Sequence, residues 1–382
     1  MKVVFVLHRY FPYGGLQRDF LRIAEACAQR GHHIQVLTRA WEGEVPAWLE
    51  VMLIESRAFT NHGRNRLFAQ RMRQMLPGMG ADVVVGFNRM PGLDVYFAAD
   101  PCFASRLASR KPVWLYRLLP RYRQFLAEER ALLADSDALI LALTRRQIDD
   151  YRRLYQVPEQ RFQLLPPGIA RDRAYNSESL QRRQALRQAN HIGDDEHLLL
   201  LLGSGFRTKG LDRAIRALHS LPQVLRDKTR LFVVGADDPA PFQRLASQLG
   251  VEKQVHFWGG RDDVADFLFA ADLLLHPAYN EAAGMALIES LVAGLPVIAT
   301  AVCGYAHYIR DCGGGEVIEE PFDQAVFNRR VQFLLENPAL RQCYHEAGVA
   351  FGATAEVYDM STRAAQLIES RGELGHGELV HG

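Results

Sequence analysis

The chain has 382 residues, a length that suits about two domains. Hydrophobic residues make up 48% and charged residues 23%, the balance of an ordinary folded globular protein. Forty-five basic residues against 44 acidic ones leave a net charge of +1. This argues against a nucleic-acid partner, because proteins that bind nucleic acids normally carry a strong excess of basic residues. The five cysteines form no Cys-x-x-Cys pair, and no apolar run approaches the roughly 18 residues of a membrane span. We therefore expect a chain of a reducing compartment that does not cross a membrane.

Short apolar runs alternate with longer amphipathic stretches along the sequence. The runs lie at 3–7, 34–38, 82–87, 138–143, 197–202, 231–235, 254–258, 272–276 and 296–300, and helical patterns lie at 16–30, 209–219, 239–249 and 282–293. Unbroken runs of Val, Ile and Leu are typical of parallel strands that are covered on both faces. This alternation predicts the α/β class, with two doubly wound, Rossmann-like sheets.

The boundary between the two predicted domains follows from proline and glycine. The sequence Leu165-Pro-Pro-Gly168 cannot continue as a helix or a central strand. We expect an N-terminal domain over 1–168 and a C-terminal domain over 169–355. A final helix and a flexible tail over 356–382 would return towards the N-terminal domain. Ligands of such sheets bind at the carboxyl ends of the strands, so we expect a cleft between the domains there.

Two glycine-containing loops each join a predicted strand to a helix. In the first, Gly14 and Gly15 would let the backbone approach a ligand, and the following helix N-terminus favours an anion. A plain strand-to-helix turn explains the pair equally well. In the second, 203–210, Arg207 and Lys209 stand at a helix start, and Lys209 is one of only five lysines in the chain. Fixed N–H donors with cationic side chains suit a diphosphate, although neither loop matches a dinucleotide or P-loop fingerprint.

The segment 276–289 carries two glutamates eight residues apart. Glu281 is expected at the start of a helix near Ala282, where the helix dipole favours a carboxylate. Glu289 lies two turns further along the same predicted helix, so both carboxylates could share one face. A carboxylate among Ala, Leu, Ile and Val needs a partner, and a sugar hydroxyl can supply one. The plainer interpretation is a helix-capping acid followed by an unrelated surface glutamate.

The Glu-x7-Glu element, the Gly-Gly loop and the Lys209 loop resemble the retaining glycosyltransferases of family 4, which have the GT-B fold. Longer strings at 10–19, 61–65, 92–100 and 303–308 look like those of family members that build the lipopolysaccharide core. This resemblance covers nearly the whole chain except the last dozen residues. It implies a UDP-sugar donor, a heptose of the lipid A–inner-core lipopolysaccharide as acceptor, and no cofactor or metal ion.

The resemblance also implies roles for individual donor-side residues. Lys209 would neutralise the diphosphate together with Arg173, and Glu289 would bind the ribose. Glu281 would hold the donor sugar with the backbone of the four residues Ala282, Ala283, Gly284 and Met285. The chain departs from the family at Ser204, where an arginine is common, and at Thr208, where close relatives are basic. Arg207, one position before Thr208, would then compensate.

On the acceptor side, Gly14 and Gly15 would approach both the diphosphate and the acceptor. Asp100 would lie near the sugar hydroxyls, where many members carry His, and Asp19 would contact the acceptor. Lys209, Glu281 and Asp100 are thus the predicted catalytic residues. Front-side attack is the expected chemistry, with the departing diphosphate helping to deprotonate the acceptor. The Asp-x-Asp at 135–137 precedes a strand, and we interpret it as a helix terminus rather than a metal site.

A basic and aromatic segment occupies 103–130. Its seven basic residues outnumber two acids in a chain that is nearly neutral overall. Basic residues interleaved with Trp, Tyr and Leu suit an anionic membrane surface, although a solvated helix packed on the domain is the alternative. The predicted membrane contacts are Arg106, Arg110, Lys111, Trp114, Arg117, Arg121 and Arg123. Together with a lipid-anchored acceptor, the resemblance implies a cytoplasmic enzyme that is peripheral on the inner face of the inner membrane.

Three alternatives stay open from the sequence. The donor could be UDP-galactose or a UDP-N-acetylhexosamine rather than UDP-glucose. A UDP-sugar epimerase on the same fold would need no acceptor, and a non-catalytic membrane or scaffold protein would not need Lys209, Glu281 and Glu289 together.

Overall fold

The computed structural model describes residues 1–12, 14–108 and 112–379. The chain divides into two compact units, one formed by Met1–Pro166 with the described residues from Asp359 onward, the other by Pro167–Tyr358. Each unit is built on a parallel sheet covered by helices, as the unbroken apolar runs predict.

The first unit contains a parallel sheet with the strand order β3-β2-β1-β4-β5-β6-β7 among the described residues. Its strands are β1 (Lys2–Val6), β2 (His33–Thr38), β3 (Leu49–Leu53), β4 (Val83–Gly86), β5 (Val95–Ala98), β6 (Leu139–Ala142) and β7 (Phe162–Leu164). Its helices are α1 (Gly15–Gln29), α2 (Asn61–Met75), α3 (Phe103–Ala108), α4 (Val113–Leu118), α5 (Pro120–Leu133) and α6 (Arg145–Tyr155). Buried side chains such as Val4, Phe68, Tyr96 and Ile140 form part of the core between sheet and helices.

The second unit contains a parallel sheet with the order β10-β9-β8-β11-β12-β13 among the described residues. Its strands are β8 (His197–Leu202), β9 (Thr229–Val234), β10 (Val255–Gly259), β11 (Leu273–His276), β12 (Val297–Thr300) and β13 (Gly315–Ile318). Its helices are α7 (Ser179–Ala189), α8 (Phe206–Lys209), α9 (Leu211–Ser220), α10 (Gln223–Asp227), α11 (Ala240–Gln248), α12 (Val264–Ala270), α13 (Met285–Val292), α14 (Ala306–Cys312), α15 (Gln324–Glu336) and α16 (Pro338–Thr354). Leu199, Leu231, Leu273 and Ile298 from four neighbouring strands join one core.

The chain ends in α17 (Met360–Leu379), which packs on α1 and β4 of the first unit. Its Glu369 pairs with Arg30 and lies 3.3 Å from His32 Nε2. Its Arg371 bonds the Asp137 carboxylate at 2.6 Å, so Asp137 of the Asp-x-Asp motif serves as a helix anchor. The helix continues through the Gly- and His-rich end of the sequence as far as Leu379.

Candidate functional site

Lys209 stands in the loop that leaves β8, as the last residue of the short helix α8. Glycines in the left-handed conformation flank this helix, Gly205 at φ 79° and Gly210 at φ 77°. A side chain at Gly210 would also collide with the carbonyl oxygen of Pro277, in the loop that leaves β11. Glycine is therefore required here for both conformation and space, and it brings Lys209 against the second loop.

Hydrogen bonds fix the loop after β11 from both sides. The Tyr279 N–H donates to the Thr208 carbonyl of α8 at 2.9 Å. The Thr300 hydroxyl, at the end of β12, donates to the Ala278 carbonyl at 2.9 Å. The Tyr305 N–H donates to the Ala283 carbonyl at 2.7 Å. The loop is thus clamped between its two neighbours at the carboxyl edge of the sheet.

Glu281 lies within this clamped loop and forms an ion pair with Lys209. The side chains of Lys209 and Glu281 are only 18% and 14% exposed. The expectation that Glu281 starts a helix is wrong: α13 begins at Met285, and Glu281 instead forms an isolated β-bridge with Cys303. Gly284, at φ 100°, turns the chain into the helix, so Glu281 and Glu289 do not share a helix face. The two predicted catalytic groups of this unit are nevertheless brought into direct contact.

Burial lowers the pKa of Lys209 to about 8, while electrostatic interactions with Cys303 and Glu289 act in the opposite direction. The contact with the Glu281 carboxylate also favours the charged ammonium. Lys209 is thus a desolvated cation whose charge depends on the anions around it, the setting in which a bound phosphate has the largest effect.

His276, the last residue of β11, is a further member of this cluster and is not among the predicted site residues. Its side chain is fully buried, and Nε2 lies 3.6 Å from Glu281 Oε2. Neither ring nitrogen has a hydrogen-bond partner among the described residues. Burial, and then the charge of Lys209, hold the pKa of His276 well below its usual range, so the ring is neutral. The available signal was an ionisable residue that ends an otherwise apolar strand.

Glu289 lies on α13, where only Met285 and Glu289 are not buried. These residues are four apart and therefore share the accessible face of the helix. Glu289 Oε1 lies 3.8 Å from Nε of the buried Arg173, whose Nη1 bonds Asp172 at 2.9 Å. Arg173 is thus next to the residue predicted to bind ribose, whereas the partner of Lys209 is Glu281. Ala282 and Met285 are half-buried, and Ala283 and Gly284 are buried.

The residues that depart from the family pattern lie beside Lys209. Arg207 is exposed on α8. The Ser204 hydroxyl accepts a hydrogen bond from the Ala236 N–H at 3.1 Å. Thr208 is exposed and contributes its carbonyl to the clamp described above.

In the first unit, Gly14 is the N-cap of α1 and Gly15 its first residue. Gly14 has φ −84°, so conformation does not demand glycine there. A Cβ at Gly14 would collide with Gln17, whereas one at Gly15 would meet nothing within 4 Å. Gly15 therefore has open space beside it, and half-buried Asp19 follows one turn along the helix.

Asp100 follows β5, and its side chain is half exposed. Arg89, in the loop after β4, lies 3.7 Å from the Asp100 carboxylate and donates to the Pro101 carbonyl at 2.7 Å. Arg89 also reaches Glu129 of α5 at 3.3 Å. The fully buried Glu129 accepts backbone N–H bonds from Phe103 at 2.7 Å and Ala104 at 2.9 Å, which fixes the start of α3 beside Asp100. Arg89 and Glu129 are not among the predicted site residues, because their partners are distant in the chain.

The segment 103–130 forms three helices, α3, α4 and the greater part of α5, rather than a single helix. Trp114 and Leu118 on α4 are 67% and 64% exposed, and Leu115 and Leu119 beside them are also exposed. Arg106, Arg121 and Arg123 are exposed as well. Of the other predicted membrane contacts, Arg110 and Lys111 and the side chain of Arg117 lie outside the described residues. Exposed apolar and basic side chains therefore occur together on this segment.

Among the described residues, no group of three or more His, Cys, Asp or Glu side chains comes together as a metal site requires. None of the described helices is long and apolar enough to span a bilayer.

Comparison with known proteins defines the class of this molecule. The family model "Glycosyl transferases group 1" matches residues 182–350, and "Glycosyltransferase Family 4" matches residues 13–173. The chain belongs to this glycosyltransferase family and has its GT-B fold of two Rossmann-like domains, which confirms the predicted fold class and enzyme class.

Individual relatives narrow the comparison. The chain is 49% identical to the lipopolysaccharide glucosyltransferase WaaG of Escherichia coli K12, over 96% of this chain and 98% of that protein. A crystal structure of WaaG covers 96% of this chain and 99% of its own, with a TM-score of 0.93. A D-inositol 3-phosphate glycosyltransferase of Xylanimonas cellulosilytica is 27% identical over 80% of both chains. Anabaena Alr3699/HepE, solved with UDP and glucose, is 16% identical with a TM-score of 0.74 over 97% of this chain and 100% of that one, and it supports the fold alone.

Proposed function

We propose that the chain is a retaining glycosyltransferase that transfers glucose from UDP-glucose to an inner-core heptose of lipopolysaccharide, with an α-1,3 linkage. The observation that carries the proposal is the buried Lys209–Glu281 pair at the carboxyl edge of the second sheet. The 49% identity to a lipopolysaccharide glucosyltransferase supports the choice of acceptor and sugar.

In this proposal the donor exchanges the partners of the buried ion pair. The diphosphate draws the Lys209 ammonium away from Glu281, because two phosphate charges compete with one carboxylate. Glu281 is then available to accept hydrogen bonds from the hydroxyls of the sugar. Glu289, on the accessible face of α13, accepts from the ribose hydroxyls, and Arg173 beside it balances its charge.

Transfer with retention proceeds by attack on the face that the diphosphate leaves. The bond between the anomeric carbon and the phosphate oxygen breaks, and a bond from that carbon to the acceptor oxygen forms on the same side. The acceptor hydroxyl proton passes to the departing phosphate oxygen. Lys209 stabilises the charge that develops on this oxygen, and Asp100 orients the sugar or acceptor hydroxyls. Because ammonium and guanidinium groups would balance the diphosphate, we propose that no metal ion is needed; rates that survive EDTA would support this.

The experiment that tests the proposal offers the purified chain a panel of UDP-sugars with heptose-terminated lipopolysaccharide, and measures product mass. A gain of one hexose from UDP-glucose alone is the expected result. A gain from UDP-galactose or a hexosamine donor would replace the sugar but keep the reaction. Interconversion of UDP-sugars without an acceptor would indicate an epimerase, and UDP binding without turnover would favour a scaffold.

We further propose that the 103–130 segment docks the enzyme on the anionic inner face of the inner membrane. Trp114 and Leu118 would enter the headgroup region while exposed arginines meet lipid phosphates. Replacing Arg117, Arg121 and Arg123 by Glu should abolish sedimentation with vesicles containing phosphatidylglycerol. Replacement of the exposed Arg145, Arg152 and Arg153 of α6 by Glu is the matched control and should leave sedimentation unchanged. Equal sedimentation of both variants with wild type would contradict docking through this segment.

A further inference from the structure

Three arginines, Arg9, Arg39 and Arg64, lie near one another at the carboxyl ends of β1 and β2, where Arg39 contacts His8. Arg9 follows His8 directly, and Arg39 follows β2, with its backbone N–H 3.2 Å and its Nε 3.3 Å from the His8 carbonyl oxygen. The third arginine, Arg64, is on α2, one helical turn before Phe68, whose ring lies 5.4 Å from the His8 ring. Residues four apart share a helix face, so Arg64 is on the side of α2 that faces His8.

The charges of this cluster are not balanced within the described part of the chain. Arg9 pairs with Glu42. Arg39 and Arg64 form no ion pair with any carboxylate of residues 1–12, 14–108 or 112–379. Arg39 is half-buried, and its pKa is lowered by burial and then by the charges of Arg64 and Arg9. Converging cations without an acid raise the free energy of the folded state, and a bound anion would offset that cost.

His8 adds an independent observation at the same place. Its Nδ1 atom is buried and has no hydrogen-bond partner among the described residues. Burial, and then the charge of Arg39, lower the pKa of His8 to about 3, so the ring is neutral at physiological pH. A buried polar atom without a hydrogen-bond partner, beside two guanidinium groups without ion pairs, is typical of a ligand site.

We propose that Arg39 and Arg64, with Arg9 and His8, form an anion subsite that binds a carboxylate or phosphate group of the glycosyl acceptor. This inference rests on the proposed function, because it assigns the anion to the acceptor of that reaction. The subsite lies in the first unit, at the edge of the sheet that also carries Gly15 and Asp100. Guanidinium groups suit it because their planar donors match both carboxylate and phosphate oxygens.

Arg64 lies in the segment 61–65, one of the segments that resemble the family. Binding of the donor assigns no role to this segment, whereas the anion subsite does. The same string contains Gly63, whose N–H donates to the Thr60 hydroxyl at 3.1 Å and so caps α2. Capping fixes the first turn of the helix, and this is the turn that presents Arg64.

The test compares the Arg39→Gln, Arg64→Gln double variant with wild type on two acceptors, one with its acidic groups and one a neutral alkyl heptoside. We expect the KM for the anionic acceptor to rise about 10- to 100-fold, as charge-assisted contacts are lost. The KM for UDP-glucose should stay within about twofold, which excludes the donor diphosphate as the bound anion. Turnover of the neutral heptoside should not change. Arg66→Gln is the matched control, because Arg66 is exposed on the same helix and lies two residues from Arg64.

The source of the anion is resolved by modifying the acceptor. If wild type and the double variant have the same KM once the acceptor carboxyl groups are reduced, the subsite binds an acidic sugar. If the two KM values become equal only after the acceptor is dephosphorylated, the subsite binds a phosphate. The inference is overturned if the double variant keeps the wild-type KM, or if it loses activity equally on the neutral heptoside. Direct binding of the anionic acceptor without donor, by titration calorimetry on wild type and variant, decides the subsite even if no sugar is transferred. Absence of transfer by wild type would count against the proposed function alone.

Discussion

Two glutamates, Glu129 in the first unit and Glu281 in the second, are both largely shielded from solvent, but their carboxylates are held in different ways. Glu129 in the first unit is fully buried and accepts hydrogen bonds from two backbone N–H groups and from the Tyr155 hydroxyl at 2.6 Å. Arg89 balances its charge. Glu281 in the second unit is nearly as buried, yet it has one cation, Lys209, and beside it an imidazole without partners, His276.

The two carboxylates differ in how many of their oxygen lone pairs are occupied by fixed hydrogen-bond donors. A carboxylate whose oxygens are all occupied by fixed donors cannot exchange them without a large loss of free energy. A carboxylate held by one lysine at the end of a flexible side chain can release it when a stronger anion arrives. We therefore interpret Glu129 as a structural residue and Glu281 as a residue that takes part in the reaction.

The largest effect is expected from Lys209→Ala. Loss of the charge that stabilises the departing diphosphate should lower kcat by about 10²–10³-fold, the range for removing one pre-positioned electrostatic group. The thermal midpoint should fall less than in Glu129→Gln, because Glu281 is partly exposed and can take up a proton once its cation is removed. Initial rates with saturating UDP-glucose and a melting curve make the comparison. A rate near wild type would contradict the assignment of Lys209.

Glu129→Gln should act in the opposite manner. One amide oxygen and an NH2 group cannot accept all the donors that face the carboxylate, so we expect a loss of about 2–4 kcal/mol in the free energy of unfolding. Urea denaturation measures it. The neighbouring Glu128→Gln is the control, since burial already raises the pKa of Glu128, and a neutral side chain should be tolerated there. If Glu129→Gln and Glu128→Gln had the same free energy of unfolding, the structural role that distinguishes Glu129 from Glu281 would be contradicted.

His276→Phe tests whether the unpartnered ring serves the donor-bound state. When Lys209 moves to the diphosphate, the neutral imidazole 3.6 Å from Glu281 can donate to it and keep it oriented. We expect the Kd of UDP-glucose to rise about tenfold while that of UDP alone stays constant, because only the sugar contacts Glu281. His276→Gln, which keeps an N–H donor, should restore part of the affinity. Equal weakening for UDP and UDP-glucose would instead indicate a purely structural role.

The sheets could be predicted from the sequence because their central strands are continuous apolar runs. The strands that the apolar runs do not predict are the edge strands β3, β7 and β13 and the interior strand β5. Edge strands pack on fewer neighbours and so need less apolar sequence. The helix starts at 16 and 239 were within one residue of α1 and α11, whereas α13 was placed three residues early. There Gly284 adopts a positive φ, and the sequence pattern does not encode the turn.

Some features of the candidate site could likewise be predicted from the sequence, and others could not. Lys209 and Glu281 could be named from motif and resemblance, but their contact could not, because 72 residues separate them. The position of Arg173 beside Glu289 could not be predicted for the same reason, and the diphosphate contact that the resemblance implies for Arg173 stays a prediction. His276, Arg89 and Glu129 act through tertiary contacts that have no local pattern. Pairing of charges is a property of the folded chain, and a single sequence indicates only which charges exist.

The smallest expected effect is on the pH profile, and it tests whether Lys209 is the exchangeable member of its pair. Because burial lowers its pKa to about 8, the ammonium is present below that pH and is lost above it. The kcat/KM for UDP-glucose follows the free enzyme, so it should fall about fourfold by half a unit above this pKa. Lys209→Arg keeps its charge throughout and should remove the alkaline limb, whatever its absolute rate. The exposed Lys228, which bonds Asp195 at 2.7 Å, supplies the control, and Lys228→Arg should leave the limb in place. A limb that survives in Lys209→Arg would assign the titration to another group and leave the Lys209–Glu281 pair permanently charged.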